Sequence, residues 1–202
     1  MKIHKELDQG TEAWKEVRKN KFTASNAQAI ASAGAGLTTY CYEIMAEKYS
    51  SALKETYTNE HTERGNILEP DARTLYELTT NQNVQQVGFV EMNEHVGCSP
   101  DGLVGEDGLI EIKCPSDVMK HMKLLFNGES EIDSAYIWQM QMQLLVCERK
   151  WCDFVSYNPN FEKALVVYRI YPDQEKFDKL QKGLEKGIET LKNFEEILTK
   201  KV

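Results

Sequence analysis

The sequence predicts a mixed α/β fold, α+β in character, with a central mixed β-sheet flanked by helices. Three observations favour this class. The first third of the chain carries helix caps and helical periodicity. The middle carries short extended runs between turn residues, and the C-terminal segment repeats apolar residues at steps of three and four. A chain of 202 residues suits a single domain, residues 1–202, and can bury a sizeable core.

The first two predicted helices follow capping residues. Thr11 can cap a helix that runs through Arg18, because a threonine hydroxyl accepts from free N–H groups of the first turn. Thr23 or Ser25 can cap the next helix, which is rich in alanine up to Ser32.

Two further helices are expected before the sheet. Residues 33–36 alternate alanine and glycine and predict a flexible break. A third helix is expected over about residues 38–51, and a fourth over residues 60–80. Pro70 falls inside the fourth helix, where a proline removes one backbone hydrogen bond and is expected to kink or split it.

The middle of the chain predicts a meander of strands. Residues 84–92 and 95–104 are extended candidates. The turn-like residues 105–108 follow, and residues 109–113 form a short strand.

Two helices, two strands and a long helix complete the prediction. The helices cover residues 116–127 and 133–147, and the strands cover residues 151–157 and 164–171. The last helix begins near Asp173. Its apolar residues have the spacing of a helix that packs on a sheet. They are Phe177, Leu180, Leu184, Ile188, Leu191, Phe194 and Leu198.

Composition limits the classes of function. Hydrophobic residues make up 41% and charged residues 28%, and no apolar run reaches the length of a membrane span or a signal-peptide core, so we expect a cytoplasmic protein without membrane contact. The net charge of −8 argues against general affinity for nucleic acid, because phosphate contacts need Lys and Arg. A local positive channel inside an acidic body remains compatible with it.

The five cysteines predict buried free thiols. They are scattered, odd in number and lack a C-x-x-C pair, so a disulfide framework, a zinc site or an iron–sulfur cluster is not expected. They are Cys41, Cys98, Cys114, Cys147 and Cys152.

The most informative residues are Asp101 and the strand that carries Glu111, Ile112 and Lys113. Side chains alternate along a strand, so Glu111 and Lys113 share one face, and the intervening turn can bring Asp101 beside Glu111. Two carboxylates at one point repel unless a cation lies between them. Mg²⁺ suits such oxygen ligands, and the Ile112 carbonyl could add another. A surface strand with solvated charges is the alternative, and these residues alone do not decide between the two.

The order of several motifs carries a family resemblance. Pro100-Asp101 followed by Glu111-Ile112-Lys113 resembles the PD-(D/E)xK nuclease motif. More specifically, the chain resembles the phage lambda-type alkaline exonucleases, which include the YqaJ-like viral recombinase nucleases, from residue 14 to about residue 159. Four blocks carry the resemblance in order. They are Trp14-Lys15-Glu16-Val17-Arg18 with Thr23-Ala24-Ser25; Gly65 with Glu69-Pro70-Asp71-Ala72-Arg73; Cys98-Ser99-Pro100-Asp101-Gly102 with Glu111-Ile112-Lys113-Cys114-Pro115; and Ala135-Tyr136 with Gln139-Met140-Gln141.

The resemblance implies a restriction-endonuclease-like core with a two-metal site. Asp101, Glu111 and the Ile112 carbonyl would hold two Mg²⁺ ions, for which Mn²⁺ can substitute. Glu69 would support the metal site from a helix. Lys113 would orient or deprotonate the attacking water and offset developing charge.

A second group of residues is implied to grip a terminal 5′-phosphate. Arg18 and Ser25 match the family positions, and an arginine fork suits phosphate. Ser99 and Gln141 would extend the pocket. Gln139 is the reserve candidate for the glutamine position.

The resemblance also implies an activity and partners. The expected reaction is 5′-to-3′ digestion of one strand of linear double-stranded DNA from a 5′-phosphorylated end, giving mononucleotides and a 3′ single-stranded tail. A homotrimeric ring would gather Lys and Arg in its channel and reconcile DNA binding with the negative charge. A single-strand annealing protein is the expected partner, in a bacterial cell that carries the gene on a phage or prophage.

Two alternatives remain at this point. The same fold could act as an endonuclease or junction resolvase, which would cut closed circles. It could also be an inactive DNA-binding scaffold, although Asp101, Glu111 and Lys113 are all present.

Overall fold

The computed structural model describes residues 1–50 and 60–200. Seven α-helices and nine β-strands lie in these two segments. The strands are β1 (Lys2–His4), β2 (Phe22–Thr23), β3 (Val84–Gln85), β4 (Phe89–Asn93), β5 (Val96–Cys98), β6 (Gly102–Val104), β7 (Gly108–Lys113), β8 (Trp151–Tyr157) and β9 (Leu165–Ile170). The helices are α1 (Glu12–Arg18), α2 (Ala27–Ser32), α3 (Ala35–Tyr49), α4 (Glu60–Thr80), α5 (Val118–Asn127), α6 (Ser134–Cys147) and α7 (Gln174–Lys200).

The strands form two mixed sheets flanked by helices, which confirms the fold class but corrects the single central sheet. One sheet has the order β1-β4-β5-β2, and the other has the order β3-β6-β7-β8-β9. Strands β7 and β8 run parallel, as do β2 and β5, and the remaining pairs are antiparallel.

The predicted meander is wrong because the chain changes sheet twice within it. Residues 84–92 divide into β3 and β4, which belong to different sheets, and residues 95–104 divide into β5 and β6. Pro100 lies in the second crossing, where its missing N–H is compatible with a turn but not with a central ladder. At the first crossing a Cβ on Gly88 would lie 2.3 Å from the Leu7 carbonyl oxygen, so only glycine fits there.

Helix starts agree with the prediction where the cap is local. The Thr11 side chain accepts from Trp14 N, and the Asp133 side chain accepts from Ala135 N. The second helix departs from the prediction. Thr23 lies in β2 and makes no capping bond, because its hydroxyl is 3.2 Å from the Tyr40 hydroxyl, and a 3₁₀ turn over residues 24–26 precedes α2.

Three other helices differ from the prediction: α3 in where it begins, α4 at its internal proline and α5 in its N-cap residue. Helix α3 begins at Ala35, because Ala33 in the left-handed region closes α2 and Gly34 starts the next helix. The expected end near Ser51 lies outside the described residues. Helix α4 continues through Pro70, so the predicted split is wrong. Burial of Ala72 and Tyr76 holds this 21-residue helix together around the missing bond. Helix α5 takes Asp117 rather than Ser116 as its N-cap.

Strand β7 is covered on both faces, and this decides where the site lies. Ile110 and Ile112 pack in a cluster beneath α4, with Ala72 and Tyr76. Glu111 points to the opposite face, toward α6, and is 1% exposed.

The remaining core joins both sheets to α2, α3, α6 and α7. Helices α2 and α7 approach so closely that a Cβ on Gly183 would lie 2.0 Å from the Ile30 carbonyl oxygen. The cysteines are free thiols, as predicted, four of them buried and Cys114 half-buried. Within residues 1–50 and 60–200, no helix is both long and apolar enough to cross a membrane.

Candidate active site

One cleft of about 800 Å³ brings together most of the residues that the sequence singled out. Strand β7 and the turn before β6 form its floor, and α1, α4, α5 and α6 contribute its walls. The sequence-predicted residues that line it, together with Ile112, are Arg18, Ser25, Glu69, Ser99, Asp101, Glu111 and Lys113.

The β6–β7 hairpin places Asp101 beside Glu111. Gly102 pairs with Ile110 in the antiparallel register, so Asp101 lies across from the next residue of β7. Its Oδ2 accepts a 2.6 Å bond from Ile112 N. Burial raises the pKa of Asp101 well above its ordinary value, and the negative charges of Glu111 and Glu69 raise it further. The second oxygen of this carboxylate therefore faces an excess of negative charge.

Glu111 is held by three donors from two elements. Its Oε1 accepts from Gln139 Nε2 at 2.6 Å and from Lys113 Nζ at 2.5 Å, and its Oε2 accepts from Gln143 Nε2 at 2.6 Å. Because this side chain is 1% exposed, the alternative of a solvated surface strand is wrong. Burial of a carboxylate is costly unless its oxygens accept such hydrogen bonds.

Lys113 lies between Glu111 and an aromatic ring. Its Nζ is 4.6 Å from the centroid of the Tyr136 ring. Burial acts to lower the pKa of Lys113, but the charges of Glu111 and Asp101 outweigh it, and the pKa is raised above its ordinary value. Lys113 is therefore an ammonium donor in the cleft at neutral pH.

Glu69 lines the same cleft from α4. Its Oε1 forms an ion pair with Arg73 one turn along the helix, and Arg73 also donates to the Asp101 carbonyl oxygen at 3.5 Å. Burial raises the pKa of Glu69, the Arg73 charge opposes this, and the Glu111 charge adds to it. Arg73 thus connects the supporting carboxylate to the backbone of the turn that carries Asp101.

These donors fit a hard divalent cation that takes few protein ligands. No group of three His, Cys, Asp or Glu side chains in the described segments forms a ready-made metal cage. The Asp101 and Glu111 carboxylates and the Ile112 carbonyl are oxygen donors that could hold such a cation, and the negative charges around Asp101 favour one. Mg²⁺ accepts such a partial set, because it keeps several water ligands.

Arg18 also lines the cleft, and the residue beneath it, Trp14, bonds to the segments before β4 and after β5. The Arg18 guanidinium lies 4.0 Å over the Trp14 ring, and Trp14 Nε1 donates to the Gly88 carbonyl and to Ser99 Oγ, both at 2.9 Å. Burial lowers the pKa of Arg18, against the opposing charges of neighbouring groups. Among the described residues no carboxylate forms an ion pair with Arg18, so its donors are available to an anion.

The two predicted serines differ in their surroundings. Ser99 donates to the Gly88 carbonyl at 2.8 Å while it accepts from Trp14, so its hydroxyl holds the tryptophan under Arg18. Ser25 is exposed in the cleft, and its Oγ lies 3.2 Å from Thr23 Oγ1.

The prediction that Gln141 extends the phosphate pocket is wrong. Gln141 does not line the cleft, because its Nε2 donates to the Tyr171 carbonyl at 2.8 Å and its Oε1 accepts from Asp173 N at 2.9 Å. Its buried amide joins α6 to the start of α7. Gln139, the reserve candidate, lines the cleft instead.

Gln143 and Arg73 are site residues that the sequence reasoning missed. Gln139 and Gln143 are four residues apart and therefore share one helix face. Glu69 and Arg73 have the same spacing. In both pairs helical periodicity could have found the second residue.

Comparisons with known proteins agree with this arrangement. Residues 13–150 match the YqaJ-like viral recombinase domain. The alkaline exonuclease LHK-Exo from Laribacter hongkongensis is 32% identical with a TM-score of 0.85, covering 95% of this chain and 97% of that one, and its complex with dAMP matches equally well. A phage related exonuclease from Haemophilus somnus 129PT shares the fold at 15% identity and a TM-score of 0.75, covering 88% and 96%. No curated protein shows a significant match.

We predict that Gln143→Leu lowers affinity for Mg²⁺ by about 10- to 100-fold, as expected when an outer hydrogen-bond partner of a metal ligand is lost. Calorimetric titration of the DNA-free protein with Mg²⁺ measures this directly. Gln141→Leu is the matched control, because Gln141 is also buried on the same helix but bonds to Tyr171 and Asp173, just before α7. Unchanged affinity in Gln143→Leu, or an equal loss in both variants, would contradict a role at the metal site.

Proposed function

The chain belongs to the YqaJ-like viral recombinase domain family of lambda-type alkaline exonucleases, and on this basis we propose a specific reaction for it. Because its family consists of exonucleases, the proposed substrate of this protein is DNA. The proposed enzyme degrades one strand of linear double-stranded DNA in the 5′-to-3′ direction, starting at a 5′-phosphorylated end. It releases mononucleotides and leaves a 3′ single-stranded tail. The observation that carries the proposal is the presence of Asp101, Glu111, Lys113 and Arg18 in one cleft.

The chemical step would use a two-metal site. Asp101, Glu111 and the Ile112 carbonyl would hold Mg²⁺, or Mn²⁺ in its place, with Glu69 in support. When bound, the metal ions stabilise the attacking and leaving oxygens of an in-line displacement. The three donors on Glu111 hold its oxygens in position for this ligation. Lys113 would orient the water and offset negative charge at the phosphate as an ammonium group, because its raised pKa keeps it protonated.

The terminal 5′-phosphate would bind at Arg18. Its guanidinium is supported by the Trp14 ring and forms no ion pair with a described carboxylate, and Ser25 is exposed nearby in the same cleft. Ser99 would act through Trp14 by holding the ring in place. The solved complex of LHK-Exo with dAMP, a nucleoside monophosphate, is compatible with a pocket of this kind.

A homotrimeric ring would bring DNA to the cleft of an acidic protein. The net charge of −8 disfavours binding on the outer surface, whereas the cleft carries cations that a ring could turn toward a shared channel. The 3′-tailed product would pass to a single-strand annealing protein.

We predict that Asp101→Asn abolishes digestion of a linear 5′-phosphorylated duplex, with a loss on the order of 10²-fold or more in kcat, because a charged metal ligand is replaced by a neutral one. A gel assay with Mg²⁺ measures the reaction. Asp107→Asn is the control, because Asp107 lies exposed on the turn of the same hairpin. Full activity of Asp101→Asn would contradict the catalytic proposal, and digestion of covalently closed circles by the wild type would favour an endonuclease.

We predict that Arg18→Ala removes the preference for a 5′-phosphate over a 5′-hydroxyl end. The expected rise in KM for the phosphorylated end is about 10- to 100-fold, the effect of losing a charged hydrogen bond. Initial rates on the two duplexes measure this preference. Lys19→Ala serves as control, because Lys19 is adjacent but does not line the cleft. A preference that survives in Arg18→Ala would place the phosphate anchor elsewhere.

We predict a trimer in solution. Sedimentation equilibrium is expected to give three times the chain mass of 23.2 kDa. A monomer that still digests long duplexes processively would contradict the ring.

A further inference from the structure

Helix α5 forms a wall of the cleft and contributes two lysines that the proposed chemistry does not use. Lys120 and Lys123 are exposed and line the cleft. Lys113, by contrast, is bonded to Glu111, and Arg18 lies over Trp14. Neither α5 lysine forms an ion pair with a carboxylate in the described parts of the chain. The cleft therefore holds two cationic groups that lack an assigned partner.

The orientation of α5 is set by buried contacts. His121 is fully buried, with Nδ1 2.9 Å from Ser156 Oγ and Nε2 3.0 Å from the Lys163 carbonyl oxygen. A carbonyl only accepts, so Nε2 donates to it. One turn on, the Leu124 carbonyl accepts from the Tyr168 hydroxyl at 2.6 Å. These bonds fix the rotation of the helix, and with it the direction of both lysines.

Acidic residues on the same rim are occupied elsewhere. Asp117 caps α5 by accepting from Met119 N at 2.9 Å, and Asp133 caps α6 by accepting from Ala135 N at 2.9 Å. Glu131 accepts from Asn127 Nδ2 at 2.8 Å. Their charges lie near helix N-termini, where they are stabilised. They reduce the positive potential of the wall but do not pair with its lysines.

The position of α5 relative to Arg18 suggests what the lysines bind. Trp14 and Ser99 place Arg18 on the side of β4 and β5, whereas His121 anchors α5 to β8. In the five-stranded sheet β7, which carries Glu111, lies between β6, which follows Asp101, and β8, to which α5 is bonded. A strand whose 5′-phosphate is held at Arg18, and whose scissile phosphate lies at the carboxylates, would continue toward α5.

We propose that Lys120 and Lys123 bind successive backbone phosphates of the digested strand on the 3′ side of the scissile bond, where it is still part of the duplex. Residues three apart on a helix have Cβ atoms about 5–6 Å apart, and flexible lysine stems let both ammonium groups follow a phosphate backbone. Such contacts are independent of sequence and position the duplex. The inference rests on the proposed function and specifies how its substrate is held.

The test compares two double variants with equal charge change and equal spacing. Lys120→Ala with Lys123→Ala removes the α5 pair, and Lys179→Ala with Lys182→Ala removes an exposed pair on α7 outside the cleft. Fluorescence anisotropy with a labelled 5′-phosphorylated duplex, in EDTA to prevent cleavage, gives affinity between about 50 and 200 mM salt. Steady-state assays with Mg²⁺ then separate KM from kcat.

In the α5 variant the slope of log affinity against log salt is expected to be shallower than in the wild type by about 2. Each of the two lost phosphate contacts contributes ~0.9 to that slope. The KM of this variant is expected to rise with kcat unchanged, and Lys120→Arg with Lys123→Arg is expected to keep the slope. The α7 variant is expected to match the wild type. A wild-type slope in the α5 variant, an equal loss in the α7 variant, or a fall in kcat alone would overturn the inference. A wild type that binds duplex but never cleaves it would instead overturn the proposed function.

Discussion

The site depends on surrounding the buried Glu111 carboxylate with hydrogen-bond donors. This side chain is 1% exposed at the middle of β7, with α4 packed against one face of the strand and α6 against the other. A buried charge is costly unless donors surround it. Gln139, Gln143 and Lys113 supply these donors, and the two glutamines require α6 to present one particular face to the strand. The position of α6 and the geometry of the carboxylate therefore depend on each other.

The second carboxylate is placed by a change of sheet. The chain leaves β5 of one sheet, turns at Pro100 and enters β6 of the other sheet, so Asp101 lies beside β7, the neighbour of β6. The same turn carries Ser99, which holds Trp14 beneath Arg18. One short segment thus sets both a proposed metal ligand and the support of the proposed phosphate anchor. This shared segment gives a physical reason for a fixed distance between the proposed metal site and the proposed anchor of the terminal 5′-phosphate.

Positive charge is concentrated in the cleft of a protein that is acidic overall. The chain is acidic overall, yet its cleft contains Arg18, Lys113, Lys120 and Lys123. Several acids nearby are directed to helix N-termini, where they stabilise the helices that form the walls. An acidic exterior around a cleft with available cations limits DNA contact to the place where the chemistry is proposed to occur.

The sequence by itself determined those features that depend on interactions between residues close together in the chain. Alternation in residues 109–113 placed Glu111 and Lys113 on one face, and local capping placed the starts of α1 and α6. Only the tertiary structure decided that two sheets replace one, that α4 continues through Pro70 and that Gln139 and Gln143, not Gln141, donate to Glu111. The reason is the range of the interactions. A cap needs a partner two or three residues away, whereas Glu111 meets Gln143 across 32 residues, and that meeting exists only once the sheets have packed against α6.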